Sequence, residues 1–164
     1  MSLKNTCREG APGTNGWIGF LAGDSKFSST AKKVLLNSEN RVYVSIASVW
    51  EAAIKVGIGK LRLPYDLEQE LSALFEQSDF DILPISLPQA DSVKDLVPIH
   101  GDPFDRIQII QAQQLSLTVI SRDQVFERYG LKRIWCENRT LSRSTLRSGQ
   151  DEGWAITFVT PHPK

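Results

Sequence analysis

From Ser28 onward the hydrophobic positions switch repeatedly between a helical period and a strand period, which predicts alternating helices and strands. Ser28 or Ser29 can cap a helix through Leu36, stopped near Asn37–Asn40. Arg41–Val44 reads as a strand. Ser45 then caps a helix that is apolar at Ile46, Ala47, Val49, Trp50, Ala52, Ala53, Ile54 and Val56, so that helix is expected to be largely buried. Leu67, Leu71, Leu74 and Phe75 form an apolar stripe after Pro64. Phe80–Ile85 is a short strand interrupted by Pro84 and therefore expected near a sheet edge. Ala90, Val93 and Leu96 or Val97 outline another helix, closed before Pro98. Ile107, Ile109, Ile110 and Ala112 follow at helical spacing, Leu117–Ile120 reads as a strand, and Leu131–Trp135 as a last short one. Such alternation predicts an α/β domain with a mostly parallel central sheet between two layers of helices.

The two ends break the pattern. Lys4–Pro12 is polar and contains Gly10 and Pro12, a poor strand. Cys136–Gly153 is rich in Ser, Arg and Thr without a sustained period. The expected organisation is one domain over residues 13–135, an atypical segment over 1–12, and an unstructured tail over 136–164. Trp154–Val159 is a brief apolar patch in that tail that could add an edge strand or a partner contact. At 164 residues and 41% hydrophobic content the chain can bury a sizeable core. Its formal net charge is zero, so no overall basic field favours nucleic acid, and binding it would need a local basic patch. Lys55, Lys60, Arg62, Arg106 and Arg122 are the candidates. Cys7 and Cys136 have no metal-ligand spacing and suggest a reducing, cytoplasmic compartment. No apolar run has the length of a membrane span, and Met1–Gly10 lacks the apolar core of a signal peptide.

The chemistry concentrates in His100-Gly-Asp-Pro-Phe-Asp105-Arg and Ser121-Arg-Asp123. Asp105 opens a helix and Asp123 ends the next strand, two places that meet at the carboxyl edge of an α/β sheet, where ligands bind. Close carboxylates repel, and a hard divalent cation relieves them. A capping reading competes: Asp102 before Pro103 is a good N-cap, Asp105 suits the helix dipole, and Asp123 could cap the helix containing Phe126. Glu51 adds a third carboxylate inside an apolar helix, where it forms either an exposed i,i+4 pair with Lys55 or part of a site. His100 reads as a loop residue near this site, and a lone histidine is more often structural or exposed than catalytic.

In order along the chain, Ser45-Ile-Ala-Ser-Val-Trp-Glu51-Ala-Ala-Ile-Lys55, Gly59-Lys60-Leu61, Leu83-Pro84-Ile85, the His100–Arg106 stretch and Ser121-Arg122-Asp123 resemble the PIN-domain nucleases, most closely the VapC-like toxins of bacterial toxin–antitoxin pairs. The resemblance implies a three-layer α/β/α fold and a Mg²⁺-dependent endoribonuclease, with Mn²⁺ as an alternative ion. It also implies an RNA substrate, a cognate antitoxin and a homodimer. Glu51, Asp105 and Asp123 fall on three of the family's four acidic positions, as catalytic and metal-binding residues. The family's opening pattern, Asp-Thr-His or Asp-Thr-Asn followed by a tryptophan and Gly-Asp, is met by Thr14, Asn15, Trp17 and Gly23-Asp24. Gly13 stands where the first aspartate belongs, which implies impaired catalysis. The alternative is an inactive PIN-like module that contacts an antitoxin or itself.

Overall fold

The computed structural model describes residues 16–23, 27–134 and 157–161. It begins with helix α1 (Gly16–Leu21), then α2 (Ser29–Leu35), strand β1 (Asn40–Ser45) and α3 (Ile46–Gly57). After α4 (Leu71–Ser78), β2 (Phe80–Leu83) and α5 (Leu87–Ser92) come α6 (Pro103–Gln114), β3 (Thr118–Ile120), α7 (Val125–Arg128), β4 (Arg133–Ile134) and β5 (Thr157–Pro161). Helix starts follow the expected caps. The hydroxyl of Ser28 accepts from the Ala31 N–H, and that of Ser45 from the Ala47 N–H. Ser86 and Gln89 cap α5 reciprocally.

The sheet has five strands in the order β2-β1-β5-β3-β4. β1 pairs in parallel with β2, and β3 with β4. β5 runs antiparallel to both β1 and β3, so β1 to β4 all share one direction. Val42, Val44, Ile120 and Val159 face one helical layer with Trp17, Ile18, Leu35 and Phe75. Tyr43, Val119 and Phe158 face the other, with Ile109, Ala112 and Phe126. Strand alternation thus feeds two apolar cores, giving the three-layer α/β/α architecture. As its proline suggested, β2 is an edge strand.

Two expectations are corrected. The tail over 136–164 is not unstructured throughout, because Thr157–Pro161 forms the central strand of the sheet. Thr157, Phe158 and Val159 are all buried. β1 and β3 each pair with β5 and not with each other, so β5 alone joins the β2–β1 half of the sheet to the β3–β4 half. A segment this short carries little periodic signal, and its partners lie about forty and more than a hundred residues away in sequence. The domain boundary at 135 therefore cuts off a strand the sheet needs.

Helix α3 is the second correction. Its buried residues are Ala47, Ser48, Glu51 and Ala52, whereas Ile46, Trp50, Ile54 and Val56 are exposed. The small side chains at 47, 48 and 52 allow close packing, with Ala52 in the first core, and the large apolar ones are left on the outside. The acid lies inside and the tryptophan outside.

Candidate active site

The motif His100–Asp105 folds back on itself. Asp102 Oδ1 accepts from the N–H groups of Phe104 (2.8 Å) and Asp105 (3.2 Å), capping α6 with Pro103 in its first turn. The Asp102 N–H donates to His100 Nδ1 at 3.1 Å. An acceptor at Nδ1 leaves the proton of the neutral ring on Nε2. That Nε2 lies 3.1 Å from Asp105 Oδ2 and 3.8 Å from Asp123 Oδ2. His100 therefore stands between the two carboxylates that spacing placed at one sheet edge, and its ring has the orienting partner the sequence did not display.

Asp123 follows β3 through Ser121, which is buried and accepts from the Asp123 N–H at 3.1 Å. Asp123 Oδ1 accepts from the Val125 N–H at 2.8 Å, which braces the turn before α7, whose N-cap position is Gln124 and not Asp123, and its other oxygen turns towards His100. Arg133 holds the same turn by donating to the Ser121 carbonyl at 2.9 Å and pairing with Glu127.

Glu51 reaches the site from α3. It is 5% exposed, so its i,i+4 pair with Lys55 (2.8 Å) is a buried one and not a solvated surface pair. Lys55 engages Oε1, while Oε2 is buried with no hydrogen-bond partner. Burial holds the Glu51 carboxyl above the usual carboxylate range; the nearby Asp102 charge adds to the rise, and Lys55 opposes it through its hydrogen bond and its charge.

Asp105 is the electrostatic focus. Its pKa is raised to about 8, chiefly by burial and additionally by the charges of Asp102, Glu51 and Asp123, with Lys55 pulling the other way. Asp105 thus feels the charges of both Glu51 and Asp123, and Asp102 joins them as a fourth carboxylate that the sequence presented only as a cap. Its place in the same motif as Asp105, three residues away, was the available signal.

Among the described residues, no group of three or more His, Cys, Asp or Glu side chains is already arranged to hold a metal ion. The chemistry of the donors nevertheless fits a hard divalent cation. They are carboxylate oxygens, Asp105 is crowded by like charge, and the buried Glu51 Oε2 lacks a partner that a cation would supply. Gly13, Thr14, Asn15 and Asp24 lie outside the described residues. Trp17 is fully buried and donates from Nε1 to Ser48 Oγ at 2.8 Å, tying α1 to the helix that carries Glu51.

The basic candidates divide. Arg106 donates to the carbonyls of Val93, Leu96, Val97 and His100, so its guanidinium pins the loop before α6. Lys55 is committed to Glu51. Lys60, Arg62 and Arg122 are exposed.

Among the described residues, no helix is long and apolar enough to cross a membrane. No curated protein and no solved structure matches the chain. One family model does: that of the PIN domain, over residues 13–132, a span that includes Glu51, Asp105 and Asp123 and ends before β5. With that match covering most of the chain, over a three-layer α/β/α fold and a carboxylate cluster at the sheet edge, the protein belongs to the PIN domain family, whose members are generally nucleases.

Proposed function

We propose that this chain is a VapC-like, Mg²⁺-dependent endoribonuclease, the toxin of a toxin–antitoxin pair, with activity reduced by Gly13 at the first acidic position. The observation that carries the reading is the burial of Asp105 among Asp102, Glu51 and Asp123 at the carboxyl edge of the sheet. Asp105 and Asp123 would hold Mg²⁺, with Mn²⁺ suited to the same oxygen donors. When bound, the ion lowers the pKa of a coordinated water and offsets charge on the phosphate. Glu51 would help hold the ion or position the attacking water through its unpaired Oε2. Lys60, Arg62 and Arg122, exposed and basic, are suited to the RNA backbone, which phosphate contacts position without reading sequence. A homodimer and a cognate antitoxin complete this reading.

Cleavage of a fluorescent RNA by the whole chain is the test. Weak cleavage in Mg²⁺, abolished by EDTA and by Asp105→Asn and increased by Gly13→Asp, is the expected result. Cleavage that survives both EDTA and Asp105→Asn would overturn it.

The second reading is an inactive PIN-like module that binds an antitoxin or a second copy of itself. The outer face of α3 favours it. Ile46, Trp50, Ile54 and Ile58 recur there at four-residue spacing, and Trp50 is 60% exposed, with its ring edge-to-face against Phe104 at 5.2 Å. A contiguous apolar face of this kind marks an interaction site. Absence of cleavage by both the wild type and Gly13→Asp, together with a stable dimer in solution, is the outcome that selects it.

A further inference from the structure

We infer that His100 is a positioning residue for the carboxylates, an inference that rests on the metal-dependent reading above. Four contacts fix its place. Its backbone N–H donates to the Tyr129 hydroxyl at 2.8 Å, and that hydroxyl donates in turn to the Val97 carbonyl at 2.9 Å. Its carbonyl accepts from Arg106 at 3.2 Å. Nδ1 accepts from the Asp102 N–H, and Nε2 is directed at Asp105 Oδ2. Backbone and ring are thus both determined.

The motif His100-Gly-Asp-Pro-Phe-Asp105 is in this sense self-orienting. The Asp102 backbone aims the imidazole, the Asp102 side chain starts the helix that carries Asp105, and the imidazole Nε2 comes back to within 3.1 Å of Asp105 Oδ2. A neutral ring suffices, so no change of protonation is invoked. Nε2 stands 3.1 Å from one oxygen of Asp105 and 3.8 Å from one of Asp123, a placement that restricts the rotation of the first and leaves its other oxygen for a cation. Hydrogen-bond partners of this kind behind ligating groups typically contribute about 10- to 100-fold in metal affinity. Arg106 and Tyr129 then act one step further out, through the loop.

Calorimetric titration of Mn²⁺ into the whole chain tests this. The wild type should bind, His100→Ala should weaken binding by about 10- to 100-fold, and His100→Gln, which keeps an N–H donor, should recover most of that loss. A second readout needs no metal: in ¹⁵N-histidine spectra the His100 Nδ1 should show the signal of a ring nitrogen that accepts a hydrogen bond. If His100→Ala does not fold, Tyr129→Phe keeps the ring and removes the hydrogen bond to its backbone, and should weaken Mn²⁺ binding by roughly fivefold, the scale of one hydrogen bond. Unchanged or tighter Mn²⁺ binding by folded His100→Ala, or a proton on Nδ1, overturns the positioning role alone. Absence of Mn²⁺ binding by the wild type overturns the metal-dependent reading, and this inference with it.

Discussion

Helix α6, which carries Asp105, and strand β5, which carries Phe158, press into the same apolar core, but they are held there by different means. α6 is organised by its own neighbourhood. Asp102 and Pro103 start it, Ile109 and Ala112 give it a buried stripe, and its return to the sheet through β3 takes only a few residues. β5 is organised from far away. Its backbone bonds go to β1 and β3, and its side chains fill places left open between two parallel strand pairs. Strands in a sheet stand about 4.8 Å apart, so removing the central one leaves a gap of about two spacings with unpaired backbone groups on both sides. Helix α6 is thus locally encoded, whereas the sheet that supports it is closed by a distant piece of chain.

The largest expected effect follows from that difference. Ending the chain at residue 156 should abolish cooperative thermal unfolding, because the loss exceeds the roughly 5–15 kcal/mol that stabilises an ordinary domain. A truncated protein that melts like the full chain would show that β1 and β3 can close the sheet without β5. A sharper version keeps the strand and empties its core contact. Phe158 is fully buried, so Phe158→Ala should cost about 3–5 kcal/mol in denaturant unfolding. A cost below about 1 kcal/mol would mean that β5 is held by its backbone alone.

The α6 side of the comparison is probed by Asp105→Asn. The ordinary carboxyl pKa is 3.8 and burial together with the neighbouring carboxylates raises this one to about 8, so the folded state keeps a proton that the unfolded chain loses as pH climbs past about 4. Ionisation therefore disfavours the fold. The penalty is absent below the unfolded pKa, grows between about pH 4 and 8, and is complete above that range. In EDTA, Asp105→Asn should raise the melting temperature by several degrees at pH 8 and leave it nearly unchanged at pH 4. A uniform shift across that range would place the effect in packing and not in charge. The same substitution should remove any Mg²⁺-dependent RNA cleavage, so stability and activity move in opposite directions.

The smallest effect on stability belongs to the exposed face of α3. Trp50→Ser should change the unfolding free energy of the isolated chain by no more than about 0.5 kcal/mol, as exposed positions generally do. Light scattering should show any self-association weakened by the same change. A loss of several kcal/mol would mean that the Trp50–Phe104 contact supports the fold itself.

The alternation of periods determined the α/β class, the helix starts at Ser28, Ser45 and Asp102, the edge position of β2, and the three acids on the elements that carry them. These are legible because capping and periodicity act over a few residues, and the chemistry of a cap is written in the side chains that make it. Only the tertiary structure decided which face of α3 is buried. The apolar residues ring that helix, so periodicity could not choose a side, and close packing selected the small ones together with Glu51. It also decided that Arg106 serves four backbone carbonyls and that His100 stands between two carboxylates. Most of all it decided the role of Thr157–Pro161, because a strand of five residues acquires its place from hydrogen-bonding edges that two other strands present and that nothing in its own sequence can reveal.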